Sequence, residues 1–278
     1  MKAVRFTDPS GNTRIGALDE GGEAVRDAGP SGPQGFVPTA EAWEQIKAAT
    51  GPEYRVGDIR LLAPVEPRKI LAIGLNYRDH AEESNLEIPP VPVVFAILPT
   101  ALIGPEDTIV VPREETRPDY ECEVAVVIGR RTYRADRATA RAAVGGISAF
   151  NDVSGRRAQL ETPQRQWTLG KGFDTFAPLG PCIRSADDID LANISLRTTL
   201  SGEVMQQSNT RHLIFPVEDL IIYLSQGITL EPGDVIATGT PSGVGDSRQP
   251  PRYLREGDVV EVWVEGVGTL RNPVTFER

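Results

Sequence analysis

The chain predicts a β-rich α+β fold: a mixed-β core with short peripheral helices and a small N-terminal domain. Two observations lead there. The 278 residues include 27 glycines and 23 prolines, about 18 % of the chain against a usual ~12 %, which implies many turns and short elements. Beyond residue 69 the apolar runs ILAIG, VVFAIL, TIVVP, EVAVVIG, DVIATG and VVEVWV are short and mostly rich in β-branched residues, as strands are.

Residues 1–28 read as short strands broken by turns (MKAVRF, RIGAL, EAVRD). A Gly/Pro-rich loop at 29–38 leads to a helix at about 40–50, with Thr39 as N-cap and Glu41 and Glu44 in its first turns. Pro64 to Pro67 punctuates the chain and a different texture begins at Lys69, so the expected domains are 1–66 and 67–278. Two helices are expected among the later strands. One spans 137–144 behind Asp136; the other spans 217–226, opened by Pro216 and closed by Gly227. EPGDVI and REGDVVEV each set a Gly-Asp turn before a strand.

Composition narrows the function. The net charge is −10 and no Lys/Arg run suggests a basic face, which argues against nucleic acid. No stretch approaches the roughly 18 apolar residues of a membrane span, and the N-terminus lacks the apolar core of a signal peptide. Two cysteines, Cys122 and Cys182, cannot build a disulfide framework, so a reducing, cytoplasmic home is expected. With only His80 and His212, a multi-histidine zinc site is excluded. Only four basic residues are lysines, which draws attention to Lys171, because only lysine offers a compact ammonium.

In DYECEVAVVIG, strand alternation points Glu121 and Glu123 one way and Cys122 and Val124 the other. Two neighbouring carboxylates leading into so apolar a strand lose hydration and repel, and a cation relieves both penalties. Oxygen ligands favour Mg²⁺, Mn²⁺ or Ca²⁺. An exposed edge strand with solvated acids is the alternative. In GGISAFNDVSGRRAQ an apolar lead ends in Asn151–Asp152, a natural strand-end ligand, although an isolated Asn-Asp also makes an Asx turn or a helix cap. Arg156 and Gln159 follow Asp152 on one face of a helical turn.

His80 and Glu83 in NYRDHAEE stand three apart, side by side on one helical turn. A carboxylate there fixes the imidazole's tautomer and makes a usable general base; a satisfied structural histidine is the alternative. His212 has no acidic neighbour and reads as structural. Lys171, in LGKGFDTF, is either a half-buried ammonium able to stabilise an enolate or a surface lysine in a turn. GTPSGVGD lacks the Gly-Lys-Ser/Thr ending of a nucleotide loop. The polar segment 82–92 has the character of a lid.

In order and spacing, NYRDHAEE, DYECE, NDVSGRRAQ, WTLGKGFDTFAPLGP and DVIATGTPSGVG resemble the fumarylacetoacetate hydrolase family, from about Lys69 to Asn272. The resemblance implies that family's mixed β-roll or barrel core, a homodimer, and a divalent metal, Mg²⁺ or Mn²⁺, on Glu121, Glu123 and Asp152. It implies a water-activating pair at His80 and Glu83, an active-site Lys171, a further hydroxyl at Thr175, and substrate contacts from Arg156, Gln159 and Thr240. One departure stands out: many relatives carry lysine where Ile97 stands. The leading expectation is metal-dependent hydrolysis of a C–C bond in an acylpyruvate-like β-dicarbonyl acid. The alternatives are decarboxylation or keto–enol isomerisation of a β-keto acid such as oxaloacetate, and a non-hydrolytic binding protein or cyclase on the same scaffold.

Overall fold

All seven residues of the strand Cys122–Ile128 are buried, so it is covered on both faces. Alternation splits its side chains between two cores. Cys122, Val124, Val126 and Ile128 pack into one cluster, and Ala125 and Val127 into another. A computed structural model provides this description for residues 1–83 and 87–278.

The strand lies inside a twelve-stranded mixed sheet. Its antiparallel neighbours are Val144–Asn151 and Val235–Ala237. Beyond Val235–Ala237, Ile70–Gly74 pairs in parallel and Val93–Ile97 forms one edge. Beyond Val144–Asn151 come Ala177–Ser185, Lys2–Thr7, Thr13–Leu18, Ala24–Pro30 and Glu53–Arg55. A five-stranded sheet, in the order Glu203–Asn209, Ser195–Leu200, Val259–Val264, Gly268–Phe276 and Ile109–Val111, supplies the opposite wall of the larger core through Leu196, Val260, Val262 and Leu270. The smaller core lies on the other face of the large sheet, under Trp43 and Ile46 of the helix Ala40–Lys47. Side chains such as Phe150 and Ile97 are wholly enclosed there, each contributing roughly 1.5–3 kcal/mol of burial. The fold is mostly β, built from several sheets, and no sheet closes into a barrel.

The helices start where their caps predict, although the one expected at about 40–50 ends at Lys47. Thr39 Oγ1 accepts from the Ala42 amide, and Asp136 Oδ1 from the Thr139 amide at 2.7 Å. Arg137–Ala143 stops one residue short of expectation because Val144 already has extended backbone and starts the next strand. Segment 1–66, expected as a small N-terminal domain, does not interrupt the sheet at its boundary, since Lys2 and Ala3 pair with Arg184 and Ile183. Among the described residues no helix is long and apolar enough to cross a membrane.

Asn76 is the joint between this framework and the helix Arg78–Glu83. It is fully buried. Its amide donates to the Thr238 carbonyl at 2.7 Å and the Phe215 carbonyl at 3.1 Å, and its oxygen accepts from the Phe215 amide at 2.8 Å. Asn76→Ala strands these buried backbone groups and should lower stability by about 2–3 kcal/mol. Urea unfolding checks this: the midpoint should fall with the slope unchanged, and an unmoved midpoint would show that the joint is dispensable.

Candidate active site

The site is assembled by strand register. Cys122 pairs with Asn151 and Glu123 with Phe150, so Glu121 and Asp152 meet at the end of the ladder. Two bonds fasten that end: the Asp152 amide donates to the Glu121 carbonyl at 3.0 Å, and Asn151 Oδ1 accepts from the Glu121 amide at 3.1 Å. Glu121, Glu123 and Asp152 are all buried, and each can offer an oxygen within 4.8 Å of the others. The solvated edge strand is therefore not what forms.

Two short helices bring cations to this cluster. Lys171, at the end of Trp167–Lys171, donates to Asp152 Oδ2 at 2.6 Å and Glu121 Oε2 at 2.8 Å. Arg156 opens Arg156–Leu160, donates to Asp119 Oδ2 at 2.9 Å and Gln159 Oε1 at 3.0 Å, and forms an ion pair with Glu121 Oε1 at 2.7 Å. The two helices touch at Gly170, where an added Cβ would lie 2.7 Å from the Gln159 Cβ. A side chain there would push Lys171 out of the cluster. Lys171 is thus buried, not a surface lysine in a turn.

This network holds four buried carboxylates, Asp119, Glu121, Glu123 and Asp152, against two buried cations, Arg156 and Lys171. Burial pushes the Glu121 carboxyl up, but Lys171 and Arg156 outweigh it and hold it down at about 2. Burial pushes Asp152 up to about 6 even with Lys171 against it. Glu123 is driven well above the usual carboxylate range by burial and then by Asp152 and Glu121; its one hydrogen bond is from the Gly239 amide at 2.8 Å. Burial opposes the Lys171 ammonium, but Asp152 and Glu121 prevail and keep it charged. The two excess negative charges match a divalent cation, the donors are all oxygen, and Asp152 Oδ1 is buried without a hydrogen-bond partner. The residues present therefore fit a hard divalent metal on Glu121, Glu123 and Asp152.

A cavity of about 400 Å³ opens over the cluster, lined by Glu121, Asp152 and Lys171 and by His80, Glu83, Arg156, Gln159 and Thr240. His80 Nδ1 lies 3.6 Å from Glu83 Oε2, adjacent but beyond hydrogen-bonding distance. Glu83 instead accepts from the Gly243 amide, at 3.0 and 3.1 Å, and His80 Nδ1 is buried without a partner among the described residues. Thr240 accepts from Gln206 Nε2 at 2.8 Å. Leu75, also in the wall, has φ +54°, a left-handed conformation that costs a leucine about 1–3 kcal/mol and is held by neighbouring Asn76.

Thr175 falls outside this group. Its hydroxyl accepts from the Val110 amide at 2.8 Å, and it is not part of the cavity wall. Ile97 is buried in the smaller core, where a lysine ammonium would have no polar partner among those apolar neighbours. His212 is exposed, beside Arg197 and Trp263 rather than at the cavity. Of the lid segment 82–92, residues 84–86 lie outside the described residues.

Three charged residues of the site were not foreseen. Asp119, wholly buried, accepts from Arg156 and from the amides of Gly245 at 2.7 Å and Asp246 at 3.0 Å, tying the 243–247 loop to the cluster. Asp246 and Arg165 line the cavity. Extending the Glu121/Glu123 alternation one step back reaches Asp119 in DYECE, a signal available in the sequence; Arg165 and Asp246 carry none.

This buried oxygen-ligand cluster under a small polar cavity defines a class of metal-fitted enzyme. The model of the fumarylacetoacetate (FAA) hydrolase C-terminal domain matches residues 69–275, and the chain belongs to that family. It is 43 % identical over 219 residues to a mitochondrial oxaloacetate tautomerase of Bos taurus, covering 78 % of this chain and 70 % of that one. A second oxaloacetate tautomerase, from Xenopus laevis, is 39 % identical over 287 residues, covering 99 % and 90 %. Among solved structures, 5-carboxymethyl-2-hydroxymuconate delta-isomerase from Mycobacterium smegmatis superposes with a TM-score of 0.83 at 36 % identity, and the fumarylacetoacetate hydrolase of Exiguobacterium antarcticum with 0.84 at 35 %, each covering 100 % of both chains. The protein is an enzyme of this family.

Glu123→Gln should weaken Mg²⁺ binding more than about 100-fold, beyond the loss usual for a supporting residue; unchanged affinity by calorimetry would put the ligands elsewhere. Because the Glu123 carboxyl is raised without metal, binding must displace its proton. Affinity should therefore rise with pH above the usual carboxylate range, and the binding enthalpy should change with the buffer's ionisation enthalpy. An enthalpy independent of buffer would count against a protonated Glu123.

Proposed function

We propose that this enzyme interconverts the keto and enol forms of a small 2-oxo acid carrying a second carbonyl at C4, with oxaloacetate the simplest case. One observation carries the reading: His80, its buried Nδ1 without a hydrogen-bond partner among the described residues, faces the same small cavity as the buried ammonium of Lys171. Tautomerisation needs a group that takes a proton from carbon and returns it, and a cation beside the oxygen that becomes an enolate. It needs no attacking water. His80 supplies the first and Lys171 the second. Glu83, held by the Gly243 amide, sets its carboxyl group 3.6 Å from the imidazole. A divalent ion on Glu121, Glu123 and Asp152, taken as Mg²⁺ or Mn²⁺, supplies Lewis-acid polarisation of the substrate carbonyl when bound. Arg156, Gln159 and Thr240 orient the acid end of the substrate. The similarity to two proteins named oxaloacetate tautomerase supports the reaction class.

Hydrolysis of an acylpyruvate is the second reading. It is favoured by the adjacency of His80 and Glu83, which a small rotation turns into a hydrogen-bonded, water-activating pair, and by the likeness to a fumarylacetoacetate hydrolase.

Enol oxaloacetate should lose its enol absorbance faster with enzyme than in buffer alone, and NMR should find keto oxaloacetate rather than pyruvate. His80→Ala should slow this about 10²–10⁴-fold, and Lys171→Ala should also impair it. A folded His80→Ala protein of full activity would remove His80 as the proton carrier. Faster cleavage of acylpyruvates than tautomerisation would establish the second reading. EDTA should abolish activity and Mg²⁺ or Mn²⁺ restore it; full activity in metal-free protein would overturn the metal's part.

A further inference from the structure

The cations around the cavity differ in what they already hold. Arg156 is closed by Asp119 and Glu121, and Lys171 by Glu121 and Asp152. Of the remaining acids in the wall, Asp246 is matched by Arg117 at 2.6 Å and by the Tyr253 hydroxyl, and Glu83 by the Gly243 amide. Arg165 lines the same cavity, is exposed, and makes no ion pair or side-chain hydrogen bond among the described residues. It is an uncommitted positive charge where the cavity meets solvent, on a chain whose net charge of −10 otherwise repels anions.

The backbone holds that charge in place. Arg165 has φ +49°, a left-handed conformation costing an arginine about 1–2 kcal/mol. Its amide donates to the Thr162 carbonyl at 3.0 Å, closing the turn. The next amide, of Gln166, donates to the Gln159 carbonyl at 3.0 Å and ties the turn to the helix that carries Arg156. Trp167 then packs edge-on against Phe95, with ring centroids 5.3 Å apart, and over Gly74, where an added Cβ would lie 2.1 Å from the indole. A strained turn pinned on both sides leaves only the arginine side chain free to swing at the rim.

We propose that Arg165 is the residue that selects a second carboxylate on the 2-oxo acid. The 2-oxo acid end enters toward Lys171 and the carboxylate cluster, and the far carboxylate meets the Arg165 guanidinium, whose planar fork matches it with two parallel hydrogen bonds. This rests on the reading of the cavity as a 2-oxo acid site, but not on the reaction that follows binding.

The test is a binding measurement that needs no turnover. The full-length, Mg²⁺-loaded protein is titrated calorimetrically with two pairs of ligands, 2-oxoglutarate against 2-oxopentanoate and 2-oxoadipate against 2-oxohexanoate. Members of a pair differ only in ending with a carboxylate or a methyl group. The wild type should prefer the dicarboxylate of at least one pair by about 10–100-fold, the range of a charge-assisted hydrogen bond. Arg165→Gln should reduce that preference below about 3-fold by weakening the dicarboxylate alone, and Arg165→Lys should restore part of it, keeping the charge without the fork. No preference in either pair, or a preference that Arg165→Gln leaves intact, overturns the proposal. A preference lost as expected in an enzyme that does not tautomerise oxaloacetate upholds Arg165 and removes only the proposed reaction.

Discussion

The pairing of Cys122–Ile128 with Val144–Asn151 places Glu121 against Asp152 with both side chains buried, and the rest of the site follows from that electrostatic problem. Carboxylates cannot be buried side by side without compensation. Arg156 and Lys171 provide part of it, which explains why two short helices with little intrinsic stability are packed tightly enough to require glycine at 170. The remaining deficit, together with burial, raises the Glu123 carboxyl well above the usual carboxylate range and leaves oxygen chemistry suited to a divalent ion. Asp119 transmits the arrangement outward, because the acid that fixes Arg156 also gathers the amides of Gly245 and Asp246.

The sheet supplies the rigidity this needs. Its central strand is covered on both faces, so the carboxylates stand on a support that does not yield. The parts contacting a changing substrate hang from it by fewer ties. The helix carrying His80 is joined through Asn76, and the 243–247 loop through Asp119 and Glu83. A fixed cluster under a separately held wall suits a family whose members are named as tautomerase, isomerase and hydrolase.

Much of this was legible in the residues. Alternation in DYECE set Glu121 and Glu123 on one face, the apolar lead into Asn151–Asp152 offered a third carboxylate that the family resemblance joined to them, and helical spacing put His80 beside Glu83. Helix caps at Thr39 and Asp136 were readable because a cap is a local bond between near neighbours. Thr175 looked like a site hydroxyl from its motif, yet its oxygen serves the Val110 backbone 65 residues away. A hydroxyl carries no mark of which acceptor the fold will bring to it.

By itself the sequence determined the β-rich architecture, the oxygen-only ligand set and the candidate base. These depend on residue type and on periods of 2 and 3.6, which are local properties of the chain. Tertiary structure alone decided the rest. It made Lys171 and Arg156 buried counter-ions, since their partners lie 19 to 50 residues away. It separated His80 from Glu83 by 3.6 Å and gave Glu83 to the Gly243 amide instead. Among the described residues it left Arg165 without an ion pair in the cavity wall, while Arg156 and Lys171 were neutralised. Charge balance in a buried site is summed over space, and the order of residues along the chain does not contain that sum.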